Sequence, residues 1–281
     1  MLLRKATLAC VAGYKLIYMW ELLPSVFGGM AAGSGAGVLS GLFGVGGGLV
    51  MIPLLVLFLG LDQHRAQGAT LAVISMPIGL PGIFQYIKKG VKWDIRLVGL
   101  IIVGFMCGVG FGSSVANRIP PVPLRIVFIG FMLCAALYSW FRKENVAGQV
   151  SGRPSLGPLA LPGLVIGALG GITSGLTGLG GAVVMIPLMI YWFRMPQHQA
   201  QLTSLLILLP PIGLPGVIIY AKAQGGLPWL AIAGAVVGFD LGSYLGAKMA
   251  NRMSGAKLKR VHSVVILAMA SIMAIKIATG P

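Results

Sequence analysis

Apolar residues run along this chain in eight blocks, at 24–60, 66–87, 97–116, 124–141, 156–193, 200–221, 227–247 and 261–279. Crossing the hydrocarbon of a bilayer takes about 20 apolar residues in a helix, so six of the blocks read as single spans. The blocks at 24–60 and 156–193 are too long for one span, and each carries a glycine cluster in its middle. The pattern predicts an all-α, polytopic integral membrane protein with glycine-broken helices. Composition agrees: 57% of the residues are hydrophobic and 9% charged, against about 25% charged in a soluble domain. Too few polar groups are present to coat a water-facing surface.

The blocks repeat. Gly41-Leu42-Phe43-Gly44-Val45-Gly46-Gly47 matches Gly175-Leu176-Thr177-Gly178-Leu179-Gly180-Gly181, and Met51-Ile52-Pro53-Leu54 recurs as Met185-Ile186-Pro187-Leu188. Gln63-His64 recurs as Gln197-His198, Ala66-Gln67 as Ala200-Gln201, and Ala116-Asn117-Arg118 as Ala250-Asn251-Arg252. Pro77-Ile78-Gly79-Leu80-Pro81-Gly82 returns unchanged at 211–216. No gap is needed over about a hundred residues, which excludes chance. The expected organisation is an N-terminal segment 1–23 lying at the interface with Tyr18 and Trp20 among the headgroups, a first repeat 24–141, a polar linker 142–155 and a second repeat 156–281.

Net charge then fixes orientation. The formal charge is +16, which could suggest nucleic acid, but the cations sit in short loops between apolar blocks, as cytoplasmic loops do. If each glycine-broken block begins and ends on one face, each half crosses an odd number of times and the second half is inverted. One face then holds 88–96, the linker, Arg194 and 248–260, with thirteen Lys and Arg. The other holds five, namely Arg65, Arg118, Arg125, Lys222 and Lys276. Parallel halves would show no bias. The basic loops 88–96, 142–155 and 248–260 are therefore placed in the cytoplasm.

Several groups could carry chemistry. Glycine runs make poor helix interiors and readily take positive φ, and broken backbone at membrane depth survives only where it is buried or lines a cavity. Helices restarting near residues 48 and 182 would aim free N–H groups and a positive dipole end at that cavity, which suits an anion. The alternative is close helix packing through small residues. His64, Gln67 and Thr70 share one helical face, repeated by His198, Gln201 and Ser204. These faces either border the pathway or cap the helix start, and histidine could carry a coupling proton. The Pro-Ile-Gly-Leu-Pro-Gly copies predict kinks or breaks. Asp240, the one acid well inside a plain span, is a candidate for proton coupling or a partner for Lys248. Cys10, Cys107 and Cys134 have no metal spacing and read as buried thiols. No metal or other cofactor is expected. Gly33-Ser34-Gly35 with His262 is too weak a motif for an intramembrane enzyme, and a passive anion channel remains an alternative to a carrier.

The motifs also carry a likeness. Gly41 to Gly48, then Met51-Ile52-Pro53, then His64-Arg65-Ala66-Gln67-Gly68-Ala69-Thr70-Leu71, resembles the TauE/SafE family over nearly the whole chain after residue 24. The resemblance implies a bacterial or archaeal inner-membrane permease that exports sulfite, sulfoacetate or related organosulfur anions. Ala69 stands where the family often has another small residue. In the second half, Ala182 replaces a third glycine and Leu202 replaces Gly68, so the two half-sites are not equivalent. The expected site lies at the midplane between the glycine breaks. Backbone N–H groups of Gly46, Gly47, Gly48, Gly180, Gly181 and Ala182 would hold the anion's oxygens, with hydroxyls from Ser40, Thr70, Ser174, Thr177 and Ser204. The expected partners are a small anion and lipid, not nucleic acid, and a homo-oligomer is left open.

Overall fold

The computed structural model describes residues 23–42, 47–78, 80–88, 90–141, 156–250 and 255–278. The regular structure among them is helical throughout, with no strand. Helix α1 covers residues 23–42, followed by α2 (Gly48–Leu59), α3 (Gln63–Ile74), α4 (Leu80–Lys88), α5 (Ile95–Ala116) and α6 (Pro121–Phe141). The second half gives α7 (Leu156–Thr177), α8 (Ala182–Phe193), α9 (Gln197–Ile207), α10 (Leu214–Ala223), α11 (Trp229–Ala250) and α12 (Gly255–Ala278). The expectations for Tyr18, Trp20 and the linker 142–155 lie outside the described residues.

Each helix boundary follows from the sequence. α2 and α8 are 12 residues long and begin where the glycine clusters end. At 1.5 Å per residue each is about 18 Å long, little more than half of a 30 Å hydrocarbon layer. α2 folds back along α1: Gly28 packs on Leu59, and Gly35 on Leu54. Both ends of the first long block therefore lie at one end of the bundle. α8 returns along α7 in the same way, with Gly170 against Met185. The proline motifs interrupt the next span in each half, between Ile74 and Leu80 and between Ile207 and Leu214. Proline removes a backbone donor and crowds the preceding turn, so the helix stops before it. Asp62 and Asp94 cap α3 and α5, accepting from the backbone N–H of Arg65 and Arg96 at 2.9 Å.

Two glycine seams join the halves. A Cβ on Gly104, Gly108 or Gly112 of α5 would fall on the carbonyl of Leu164, Ala168 or Ile172 of α7. The numbers rise together, so these helices run parallel. α1 and α11 repeat the arrangement at the same offset, with Gly29, Gly33 and Gly37 against Ala231, Ala235 and Phe239. Lipid is as apolar as a leucine side chain, so burying apolar area gives these helices little reason to associate; close backbone approach through small residues does. Both seams cross from one half to the other, so the halves interleave. α6 and α12 also pack together, but antiparallel. Ser263 Oγ donates to the Ala136 carbonyl at 3.3 Å, and Arg125 Nη1 to the Lys276 carbonyl at 3.4 Å. These two helices are equivalent in sequence.

One end of the bundle is tied together by polar contacts. Arg65 Nη2 donates to the Gln224 carbonyl at 3.5 Å, and Gln224 Nε2 to Asn117 Oδ1 at 3.2 Å. Lys276 Nζ donates to the Val56 carbonyl at 2.6 Å, satisfying the end of α2. Arg65, Arg125 and Lys276 thus share the sparsely charged end. The outer surface is apolar, with Phe27, Phe111, Leu161 and Ile275 all exposed. Cys107 and Cys134 were expected inside but lie on this outer face. Against lipid a weakly polar thiol is as well placed as in a core, so burial in the bundle does not follow from an apolar environment. The side chain of Cys10 lies outside the described residues.

Candidate functional site: two helix breaks and a buried polar cluster

The two breaks meet. A Cβ on Gly48, at the start of α2, would sit 2.7 Å from the Cα of Leu179 in the second break. Because α2 and α8 enter from opposite ends and are each about 18 Å long, their starts lie near the middle of the bundle. Gly178, Gly180 and Gly181 all have positive φ, at 75°, 84° and 68°. Gly47 does not; it caps α2 at φ −70°. Positive φ was expected of both clusters, and among the described residues the second alone has it. Gly46 lies outside them. The ring of Phe239 closes over Gly47 and that of Phe105 over Gly181, again at the repeat offset.

At the second break the Ala182 N–H is already bonded to the Gly180 carbonyl at 2.8 Å. The N–H groups of Gly180 and Gly181 have no partner among the described residues.

Beside the break lies the α3 stripe. Gln63, Gln67 and Thr70 are fully buried and His64 is 7% exposed. A Cβ on Gly178 would lie 3.1 Å from the Cα of Gln67. Tyr220 of α10, also fully buried, brings its hydroxyl within 2.8 Å of Gln67 Oε1 and 2.9 Å of the Gly175 carbonyl. The His64 and Tyr220 rings are 6.3 Å apart. Gly68 makes this packing fit, since a Cβ there would meet the Tyr220 Cβ at 2.8 Å. Ser113 of α5 abuts Gly175 and Gly216.

Several buried polar atoms in this region have no hydrogen-bond partner among the described residues: Gln63 Oε1 and Nε2, His64 Nδ1, Gln67 Nε2, Ser113 Oγ and Ser174 Oγ. An unmet buried polar group costs about 1–3 kcal/mol, so such a concentration asks for a reason.

The other predicted residues fall differently. Thr70 and Thr177 donate to carbonyls one turn back, Ala66 at 2.8 Å and Thr173 at 2.6 Å, so in this conformation their protons are taken. Ser204 is buried, and Ser40 and Gln201 are half-buried. His198 starts α9, and its side chain lies outside the described residues. Asp240 is on the exposed face of α11 beside Leu241 and Tyr244, away from this cluster. Sequence reasoning missed Tyr220 and its counterpart Tyr86, whose hydroxyl donates to Gln201 Oε1 at 3.0 Å. The signal was there: the tyrosines stand at the same offset as the glutamines they hold. Ser113 and Gln224 carry no such mark, while Asn117 recurs as Asn251.

The family model described as "Sulfite exporter TauE/SafE" matches residues 29–273. The chain belongs to the TauE/SafE family. Among its relatives, YdhB of Bacillus subtilis, a probable membrane transporter protein, is 28% identical over 226 residues, covering 79% of this chain and 89% of that one. A probable membrane transporter protein of Xylella fastidiosa is 27% identical over 244 residues, covering 86% and 92%. One from Methanocaldococcus jannaschii is 30% identical, covering 67% of this chain and 69% of its own length. No solved structure matches. This TauE/SafE chain is thus a multi-pass membrane protein of a transporter family, and these names point to transport rather than catalysis.

Proposed function

We propose that this protein is a secondary transporter exporting a small oxyanion, sulfite or an organosulfonate such as sulfoacetate, across a cell inner membrane by alternating access. The observation that carries the reading is the cluster of partnerless buried groups beside the point where the two breaks touch. Gln67 Nε2, Ser113 Oγ and Ser174 Oγ, with the amides of Gly180 and Gly181, make a set of neutral donors. Such a set suits an anion's oxygens at membrane depth, where broken helices form transporter sites. The start of α8 adds its positive dipole end. On this reading Gly47, Gly48 and Ala182 would line the site with Ser40, Gln201 and Ser204 of the opposite half-site, while the expectations for Gly46 and the His198 side chain lie outside the described residues.

The two halves are read as inverted in the membrane. Antiparallel packing of the equivalent helices α6 and α12 supports this, as does the return of α2 along α1. The basic loops 88–96, 142–155 and 248–260 then face the cytoplasm. The test is uptake and efflux in proteoliposomes, comparing sulfite, sulfoacetate, sulfate and chloride under imposed pH gradients. Saturable, gradient-coupled flux of a sulfur oxyanion is the expected result. Unselective flux that follows voltage alone would make the protein a channel. Wild-type anion affinity in both purified Gly47→Ala and Gly181→Ala would remove the breaks from the site.

A further inference from the structure

We propose that Tyr220 and Tyr86 are the two seals of the pathway, each closing one side by clamping a glutamine of the opposite half. This rests on the alternating-access reading above. Tyr220 of the second half bonds Gln67 of the first, and Tyr86 of the first bonds Gln201 of the second, at 2.8 Å and 3.0 Å. The two bonds are the same contact seen twice, once on each side of the meeting breaks. Each spans the interleaved halves, so any movement of one half against the other must break or remake it.

The two copies are in different states. Tyr220 and Gln67 are fully buried, whereas Tyr86 and Gln201 are both half-buried. Ser174, beside the Tyr220 pair, is fully buried, and its counterpart Ser40 is half-buried. The sequence supplies a cause. Gly68 lets the Tyr220 backbone and ring settle onto α3, while the equivalent position on α9 is the buried Leu202. A leucine side chain denies Tyr86 the same approach. The structure therefore represents the state sealed at the Tyr220 end and looser at the end carrying the basic loops.

The Tyr220 seal is also built to open. Its hydroxyl has one proton and two acceptors, Gln67 Oε1 and the Gly175 carbonyl. If Gln67 swings away, the proton stays satisfied by Gly175, and opening leaves no buried hydroxyl stranded. Gln67 is then released to meet a ligand with its whole amide.

The test uses the full chain in a cysteine-free background, with single cysteines at Ser40, Ser174 and, as a control, the buried Leu124. Modification by a membrane-impermeant thiol reagent is timed from each side. With native tyrosines, Ser40→Cys reacts from the basic-loop side and Ser174→Cys is protected. Tyr220→Phe takes from the closed state the hydrogen bond that Gln67 Oε1 accepts, worth about a two- to tenfold population shift. It should raise Ser174→Cys reactivity from the other side by that factor, and Gly68→Ala should do the same by crowding the tyrosine. Tyr86→Phe should raise Ser40→Cys reactivity and leave Ser174→Cys protected. A Ser174→Cys rate unchanged within twofold in both Tyr220→Phe and Gly68→Ala overturns the proposal, as does labelling of Leu124→Cys, which marks general loosening. The readout is independent of which anion moves, so failure here is distinct from failure of the substrate assignment.

Discussion

Replacing Gly181 with alanine should damage the protein far more than the matching change at Gly47. Gly181 sits at φ 68° and ψ −17°, where a Cβ meets the neighbouring carbonyl oxygen at a cost of about 1–2 kcal/mol. The new methyl would also lie 2.6 Å from the Gly170 carbonyl oxygen and 2.5 Å from Phe105 Cε2. The carbonyl belongs to the α7 backbone and cannot turn aside, so α8 must shift, and such overpacking costs a further 1–3 kcal/mol, roughly. The sum is about 2–5 kcal/mol. Gly47 has ordinary right-handed backbone, φ −70° and ψ −5°, and its substitution restricts the unfolded chain, a gain of about 0.4–1 kcal/mol. The nearest atoms to its methyl belong to the Phe239 ring, a side chain that can tilt where a backbone carbonyl cannot. The net cost there is about 0–2.6 kcal/mol, taking the same overpacking range less that gain. With about 2–4 °C per kcal/mol for a chain approaching this size, Gly181→Ala should lower Tm by roughly 4–20 °C and Gly47→Ala by less than about 10 °C, with the Gly181→Ala shift the larger of the two. Thermal melts of the purified proteins in one detergent, followed by size-exclusion profile, check this. Equal shifts would refute the reasoning, since it assigns the difference to backbone handedness and a rigid neighbour.

Further outcomes follow from other parts of the fold. Gly108→Val in the α5–α7 seam places its Cβ on the Ala168 carbonyl, so folded protein should fall severalfold on size exclusion, and Gly242→Val should do the same against Ser34 in the other seam. In intact cells, single cysteines at 88–96 and 248–260 should label from one side and those at 62–65 and 222–226 from the other; opposite-side labelling of 88–96 and 248–260 would end the inverted arrangement. If protons are coupled at the buried cluster, His64→Gln should flatten the pH dependence of flux while Asp240→Asn, on the outer face, leaves it intact; the reverse result would move coupling to α11. Lys276→Met removes the cation that satisfies the Val56 carbonyl at 2.6 Å and should cost roughly 1–3 kcal/mol, read as a lower Tm with unchanged anion selectivity.

Helix existence and the breaks were legible because lipid simplifies the code. An apolar run must be a helix, since backbone groups find no water there, and a glycine cluster or a Pro-Ile-Gly motif must interrupt it. Hence α2 begins at Gly48 and α8 at Ala182, where the clusters end. What stayed hidden is which surface each helix turns inward. Cys107 and Cys134 looked buried because apolar neighbours mean core in water, but they mean either core or lipid in a membrane. Asp240 looked internal for the same reason. Left-handed backbone was visible only as permission, and Gly47 declined it while Gly181 used it.

The tyrosines show why the site was harder to read than the fold. Tyr220 and Gln67 lie 153 positions apart, and nothing in either local sequence points to the other. The internal repeat could have supplied the link. Where two copies of one chain segment interleave, a residue pair spanning the halves must appear twice, with the roles of the halves exchanged. Tyr86–Gln201 is that second appearance. A polar pair that recurs with its halves exchanged lies at the interface between them, where each half reaches the other. The same argument explains why the glycine seams come in two copies and why α6 meets its own counterpart α12. On the proposed reading it also says where to look for a pathway: between the halves, where both breaks, both glutamines and both tyrosines would face a single ligand.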